Sequence, residues 1–128
     1  MKKPLWVVAI LATVASIVAN LIIMFLAKPF GPDFLILDTA AVTIFSIGGT
    51  VGATIAFLIV KKLSKDYKKT YIIVSAIALV ISLIPDIMIF IDPDPRMGVP
   101  TPIGIFALMA MHVAEAAIIV YSFMNYTD

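Results

Sequence analysis

The sequence predicts an all-α fold, a four-helix transmembrane bundle running up-down-up-down with both termini inside (N-in/C-in). Three observations carry that expectation. Of 128 residues, 62% are hydrophobic and 13% charged, whereas soluble domains run near half apolar and a quarter charged. The apolar residues fall into four runs, each near the roughly 20 residues that a spanning helix needs. The basic residues gather at alternate run boundaries. Water would not tolerate so much apolar surface, because exposed patches beyond a few hundred Å² drive association; a bilayer solvates it.

The first run is Leu5 to Ala27, the second about Thr39 to Val60 with Phe34 as an alternative start, the third Tyr71 to Ile91 and the fourth about Ile103 to Phe123. The whole chain, residues 1–128, reads as one transmembrane domain. Met1-Lys2-Lys3 resembles the basic start of a secretory signal. A signal's apolar region is only about 7–15 residues long, and this run continues through Leu21-Ile22-Ile23-Met24-Phe25-Leu26, so a retained helix is expected.

The connections differ in character. Lys28-Pro29-Phe30-Gly31-Pro32-Asp33 reads as a turn whose prolines cannot continue a helix, and Phe34 to Asp38 as a segment lying along the interface. Lys61 to Lys69 holds five lysines and Asp66. Asp92 to Pro102 is proline-rich and reads as extended. Lys2, Lys3, Lys61, Lys62, Lys65, Lys68 and Lys69 share one side, against Lys28 and Arg96 on the other. In short loops such a bias places the lysine-rich side in the cytoplasm. The expectation is therefore a multi-pass protein of the cell (inner) membrane with both termini cytoplasmic. Asp33, Asp38, Asp92 and Asp94 then lie outside, and Trp6, Tyr67, Tyr71, Tyr121 and Tyr126 form an inner aromatic belt.

Composition excludes several chemistries. With no cysteine there is no disulfide, thiolate metal site or cysteine nucleophile. A single histidine rules out a multi-histidine metal site within one chain. No phosphate loop, serine elbow or nucleotide signature occurs, so no cofactor is expected. Membrane lipids, and a second copy or a partner membrane protein, are the expected partners. The lysines have a topogenic role and no nucleic-acid role.

The polar residues inside the runs are the candidates for function. Glu115 lies near the middle of the fourth run, and His112, three residues earlier, shares its helix face. A charge at bilayer depth costs several kcal/mol, so such residues face the bundle or a watery cavity. Asp86 follows Pro85 in the third run; by helical rise it sits roughly 7 Å below the outer edge and His112 roughly 13 Å. Pro85 deprives the Ile81 carbonyl of its donor and favours a kink there. Asn20 and Ser46 fall at similar depth, so Asn20, Ser46, Asp86, His112 and Glu115 can form one buried polar, proton or ligand site. Read blandly, the His–Glu pair is a clasp that fixes helix packing, and Asp86 reaches out to interfacial water. A separate feature is the small-residue stripe Gly48, Gly52 and Ala56, expected to pack helices closely within the chain or between copies.

The run Leu108-Met109-Ala110-Met111-His112-Val113-Ala114-Glu115-Ala116-Ala117 follows Ser82-Leu83-Ile84-Pro85. This arrangement resembles a family of uncharacterised small four-helix bacterial membrane proteins, known only as a domain of unknown function. The resemblance implies a four-helix fold over nearly the whole chain and no activity. Members often carry an apolar residue where this chain has Glu115. Small multidrug transporters also have four helices, but their essential acid is in the first helix, where this chain has only Asn20. The readings carried forward are a helix-packing or self-associating accessory protein with a polar His–Glu site, a small proton-coupled or ligand-binding carrier, and, least favoured, an enzyme acting on a lipid or quinone with His112 as base.

Overall fold

The computed structural model describes residues 2–30, 34 and 36–127. Among these, four α-helices carry the fold: α1 Leu5–Ala27, α2 Thr39–Leu63, α3 Tyr67–Ile91 and α4 Pro102–Tyr126. All four are long and apolar enough to cross a membrane. Gly31, Pro32 and Asp33 of the expected turn, and Leu35, lie outside the described residues.

Helix boundaries follow from local chemistry. The Asp38 carboxylate caps α2, accepting from the Ala40 and Ala41 amides at 3.1 and 3.3 Å. The Thr101 hydroxyl caps α4 by accepting from Gly104 N at 3.0 Å, with Pro102 in the first turn, where its missing N–H costs nothing. The lysine-rich loop is shorter than expected. Lys61 and Lys62 complete the last turn of α2, and Lys68 and Lys69 stand in the first turn of α3, leaving Ser64–Asp66 as the connection. Lysine is a good helix former, and at the end of α2 it meets the negative pole of the helix. The proline-rich segment is not uniformly extended, because Pro95–Met97 forms a 3-10 turn with Asp94 at its head.

The helices stand in a ring in chain order. α1 packs closest against α4, then against α2; α3 touches α4 and, more loosely, α2. Lys3 N donates to Tyr126 O at 2.7 Å and Lys68 Nζ to Met124 O at 3.3 Å, so both ends of the chain and the α2–α3 turn share one end of the bundle. The α1–α2 and α3–α4 connections meet at the other end, where Phe34 bridges to Gly98.

The core has two apolar clusters and a polar layer between them. At the terminal end, Val8, Ala12, Phe57, Tyr71, Ile119 and Phe123 pack together. There the Phe57 ring lies edge-on to Tyr71 at 5.0 Å and to Phe123 at 5.1 Å. At the loop end, Met24, Phe34, Leu37, Val42, Leu108 and Met111 form the second cluster. Phe34 and Leu37 are therefore core residues rather than an interfacial segment; Phe34 fills the space beside Gly104, where a Cβ would fall 2.8 Å from its ring. Tyr71 likewise leaves the expected aromatic belt for the core and donates its hydroxyl to Ala53 O at 2.9 Å.

Candidate functional site

The polar layer arises from residues that continue the buried apolar stripes. On α1 the stripe Val8, Ala12, Ser16, Asn20, Met24 turns polar at its centre. On α2 the stripe Val42, Ser46, Thr50, Phe57 does the same. Spacings of four, and of seven from Thr50 to Phe57, keep each set on one helix face. In α3 the buried residues are Tyr71 and Asp86, and α4 adds His112 and Glu115 between Met111 and Ile119.

These side chains meet in two linked groups. In the first, Asp86 Oδ2 approaches His112 Nδ1 to 2.7 Å and joins α3 to α4. The contact is close but not aligned as a hydrogen bond, and both atoms are buried without another partner. In the second, Asn20 Nδ2 donates to Ser46 Oγ at 2.8 Å, and Ser46 Oγ donates to the Val42 carbonyl at 2.7 Å. Thr50 Oγ1 stands 3.2 Å from Glu115 Oε1, and the Asn20 side chain also reaches the Glu115 carboxyl. His112 and Glu115 act on each other through space while their short contacts go to other helices. The polar centre is thus a four-helix assembly rather than an isolated His–Glu pair. Asp86 is only 4% exposed and points inward.

Two residues complete the centre. Thr50 lies one turn beyond Ser46, and its hydroxyl in an apolar stripe is the signal that marks it. Gly49 makes room for the acid, since a Cβ there would fall 2.7 Å from Glu115 Oε1. The stripe glycines differ. A Cβ on Gly48 or Gly52 would meet nothing within 4 Å, so neither is required for close packing within the chain. Gly48, Gly52 and Ala56 instead line an open groove.

That groove is a cavity of about 320 Å³ between α2, α3 and α4, running from Tyr71 and Ile119 to His112 and Glu115. A second cavity, of about 470 Å³, lies toward the loop end and is bordered by Asn20, Ser46, Asp86 and Met97. Gly49, Ser82, His112 and Glu115 line both. An imidazole and a carboxyl therefore stand in the wall between two cavities stacked along the bundle.

Among the described residues no group of three His, Cys, Asp or Glu is arranged to hold a metal ion. The charged loop offers none either. Asp94 is bound to Arg96 by a 2.8 Å ion pair, and that guanidinium holds the Asp94 carboxyl below its usual range.

The chain matches the family of unknown function DUF6069 over residues 1–127 and belongs to it. No curated protein and no solved structure matches it.

Proposed function

We propose that this DUF6069 protein is a small multi-pass membrane carrier or binding protein, which takes the polar group of a small molecule at the Asp86–His112–Glu115 centre in a proton-dependent way. One observation carries the reading: the two cavities share Gly49, Ser82, His112 and Glu115. A packing clasp needs no cavities on either side of it, whereas a carrier needs a polar site reachable from two directions. Ligand pockets typically measure about 300–1,000 Å³ and combine apolar walls with a few convergent polar groups. Both cavities fall in that class. Buried ionisable groups in membrane spans are costly and usually serve a pathway or a proton relay. The excess of lysines at the terminal end supports a cytoplasmic position for both termini.

His112 is the single histidine of the chain, so ¹⁵N NMR of the imidazole in lipid nanodiscs reads the centre directly. Between about pH 5 and pH 8, where imidazoles ordinarily titrate, its signal is expected to respond to pH. Glu115→Gln is expected to displace that response. An imidazole silent over this range in both proteins would remove the reading.

A second reading rests on the open groove. Gly48 and Gly52 give helix α2 a smooth face, with nothing among the described residues packed onto a Cβ position there, and such faces associate closely in membranes. The chain lacks cysteine, so Gly52→Cys provides a clean probe. Disulfide dimers in native membranes support self-association; a chain that stays uncrosslinked with this probe speaks against it.

A further inference from the structure

The polar centre has more acceptors than donors. Asp86 and Glu115 bring four carboxyl oxygens. Asn20 Oδ1 is buried without a partner, in a residue only 2% exposed, and Asp86 Oδ2 has only the poorly aligned His112 contact. The available donors are largely committed. Of the two Asn20 Nδ2 hydrogens one goes to Ser46 and the other is turned to the Glu115 carboxyl, and the Ser46 hydroxyl goes to the Val42 carbonyl. The single Thr50 hydroxyl proton is within reach of both Glu115 and the Ser46 carbonyl. Buried acceptors without donors are expensive. Asn20, Asp86 and Glu115 all border the loop-end cavity of about 470 Å³. The rest of its wall is mainly apolar, including Phe45, Ile89 and Leu108.

A ligand that fits must donate several hydrogen bonds and have a hydrocarbon body. An ammonium group has three donors and no acceptor. An alcohol donates a single hydrogen bond and so can serve only one of these acceptors. A bare metal ion leaves the apolar wall unused, and the described residues offer no cluster of three metal-type ligands. We propose that the loop-end cavity binds a lipophilic primary ammonium ion, its N–H groups directed to Asn20 Oδ1, Asp86 and Glu115 and its hydrocarbon chain against Phe45, Ile89 and Leu108. This deepens the carrier reading and rests on it by naming the ligand class of the same centre. Asp86, His112 and Glu115 are the titratable groups among the described residues lining this cavity. A proton and the ammonium ion therefore compete for the same carboxyls, which links binding to pH.

Met97 and Met111 also line the cavity, whereas Met124 packs against the terminal-end cluster. Methionine methyl labels read site and fold separately. The experiment titrates hexylammonium into the full chain in nanodiscs, with hexan-1-ol and sodium chloride as matched probes. Saturable shifts of the Met97 and Met111 methyls are expected with hexylammonium, with Met124 unmoved. Asp86→Asn and Glu115→Gln should each weaken binding at least tenfold while leaving the Met124 signal in place. Asn20→Ala is a further variant in case either carboxyl substitution disturbs the fold; it should weaken binding severalfold. Equal saturation by hexan-1-ol or by sodium ion would overturn the ammonium assignment while the carrier reading stands. Methyl signals that answer neither to any probe nor to pH would overturn both.

Discussion

Helices α3 and α4 are equally long, and α3 holds the more apolar central stretch, yet the two are used very differently. In the most apolar stretch of α4, 33% of residues are buried within the protein; in that of α3, 6%. Lipid tails are as apolar as leucine, so apolar side chains gain little by leaving lipid for protein, and packing and hydrogen bonds decide association instead. α4 brings Gly104, Ala107 and a face that meets α1 along its length. α3 is held near its two ends, by Tyr71 in the aromatic cluster and by Asp86 at His112. The seam beside α1 and α4 is consequently packed, and the seam between α2 and α3 opens onto the polar centre.

Five substitutions probe that difference, beginning with the largest expected effect. Phe123→Ala removes a ring that is 0% exposed and touches both Phe57 and Tyr71. It should destabilise the bundle by about 2 kcal/mol, the cavity share of what such a truncation costs in soluble cores, as measured by reversible unfolding in mixed micelles. Gly104→Ala drives a Cβ into the Phe34 ring and should cost about 1–2 kcal/mol through overpacking. Gly48→Ala, facing the open groove, should cost nothing and gain up to about 1 kcal/mol from helix propensity. Equal effects of the two glycine changes would erase the distinction between the seams.

Tyr71→Phe deletes the hydrogen bond to the Ala53 carbonyl, which ties α3 to α2. Interhelical hydrogen bonds in membranes average about 0.6 kcal/mol, so a small loss of stability is expected, with faster amide exchange confined to α3. Arg96→Ala should act least. The carboxyl of Asp94 should then titrate at higher pH, visible by carboxyl ¹³C NMR, with no resolvable change in stability. The sign follows from the depressed value in the folded chain. Any order the pair lends the loop is present at neutral pH and lost as pH falls through the Asp94 titration.

Much of the fold was legible because a bilayer leaves few choices: four apolar runs require four helices. The bounds of α1 coincide with the first run, Leu5 to Ala27. The misreadings come from interfacial residues, whose polarity fits either medium. Tyr71 reads as a belt residue from its place beside a lysine cluster, and only the ring of Phe57 opposite makes it core. Phe34 and Leu37 read as interfacial because nothing local reveals that Gly104 leaves a space for a ring. In the polar layer, single polar residues on separate spans stand out against apolar neighbours, but their pairing does not. His112 and Glu115 are close in sequence, yet each makes its shortest contact with another helix, and the tertiary arrangement determines which. Gly49 is indistinguishable by sequence from Gly48, and only the neighbouring helix separates their roles.

The account turns on the seam between α2 and α3 being open to water at the polar centre while the α1–α4 seam is shut. Two conservative replacements test it directly: Ser82→Cys, in the wall shared by both cavities, and Ser16→Cys, at a fully buried position on α1. Reaction with a small charged thiol reagent in sealed vesicles requires water at the sulfur. Fast labelling at position 82 and none at position 16 is the predicted result; equal labelling at both positions, or none at either, would contradict it.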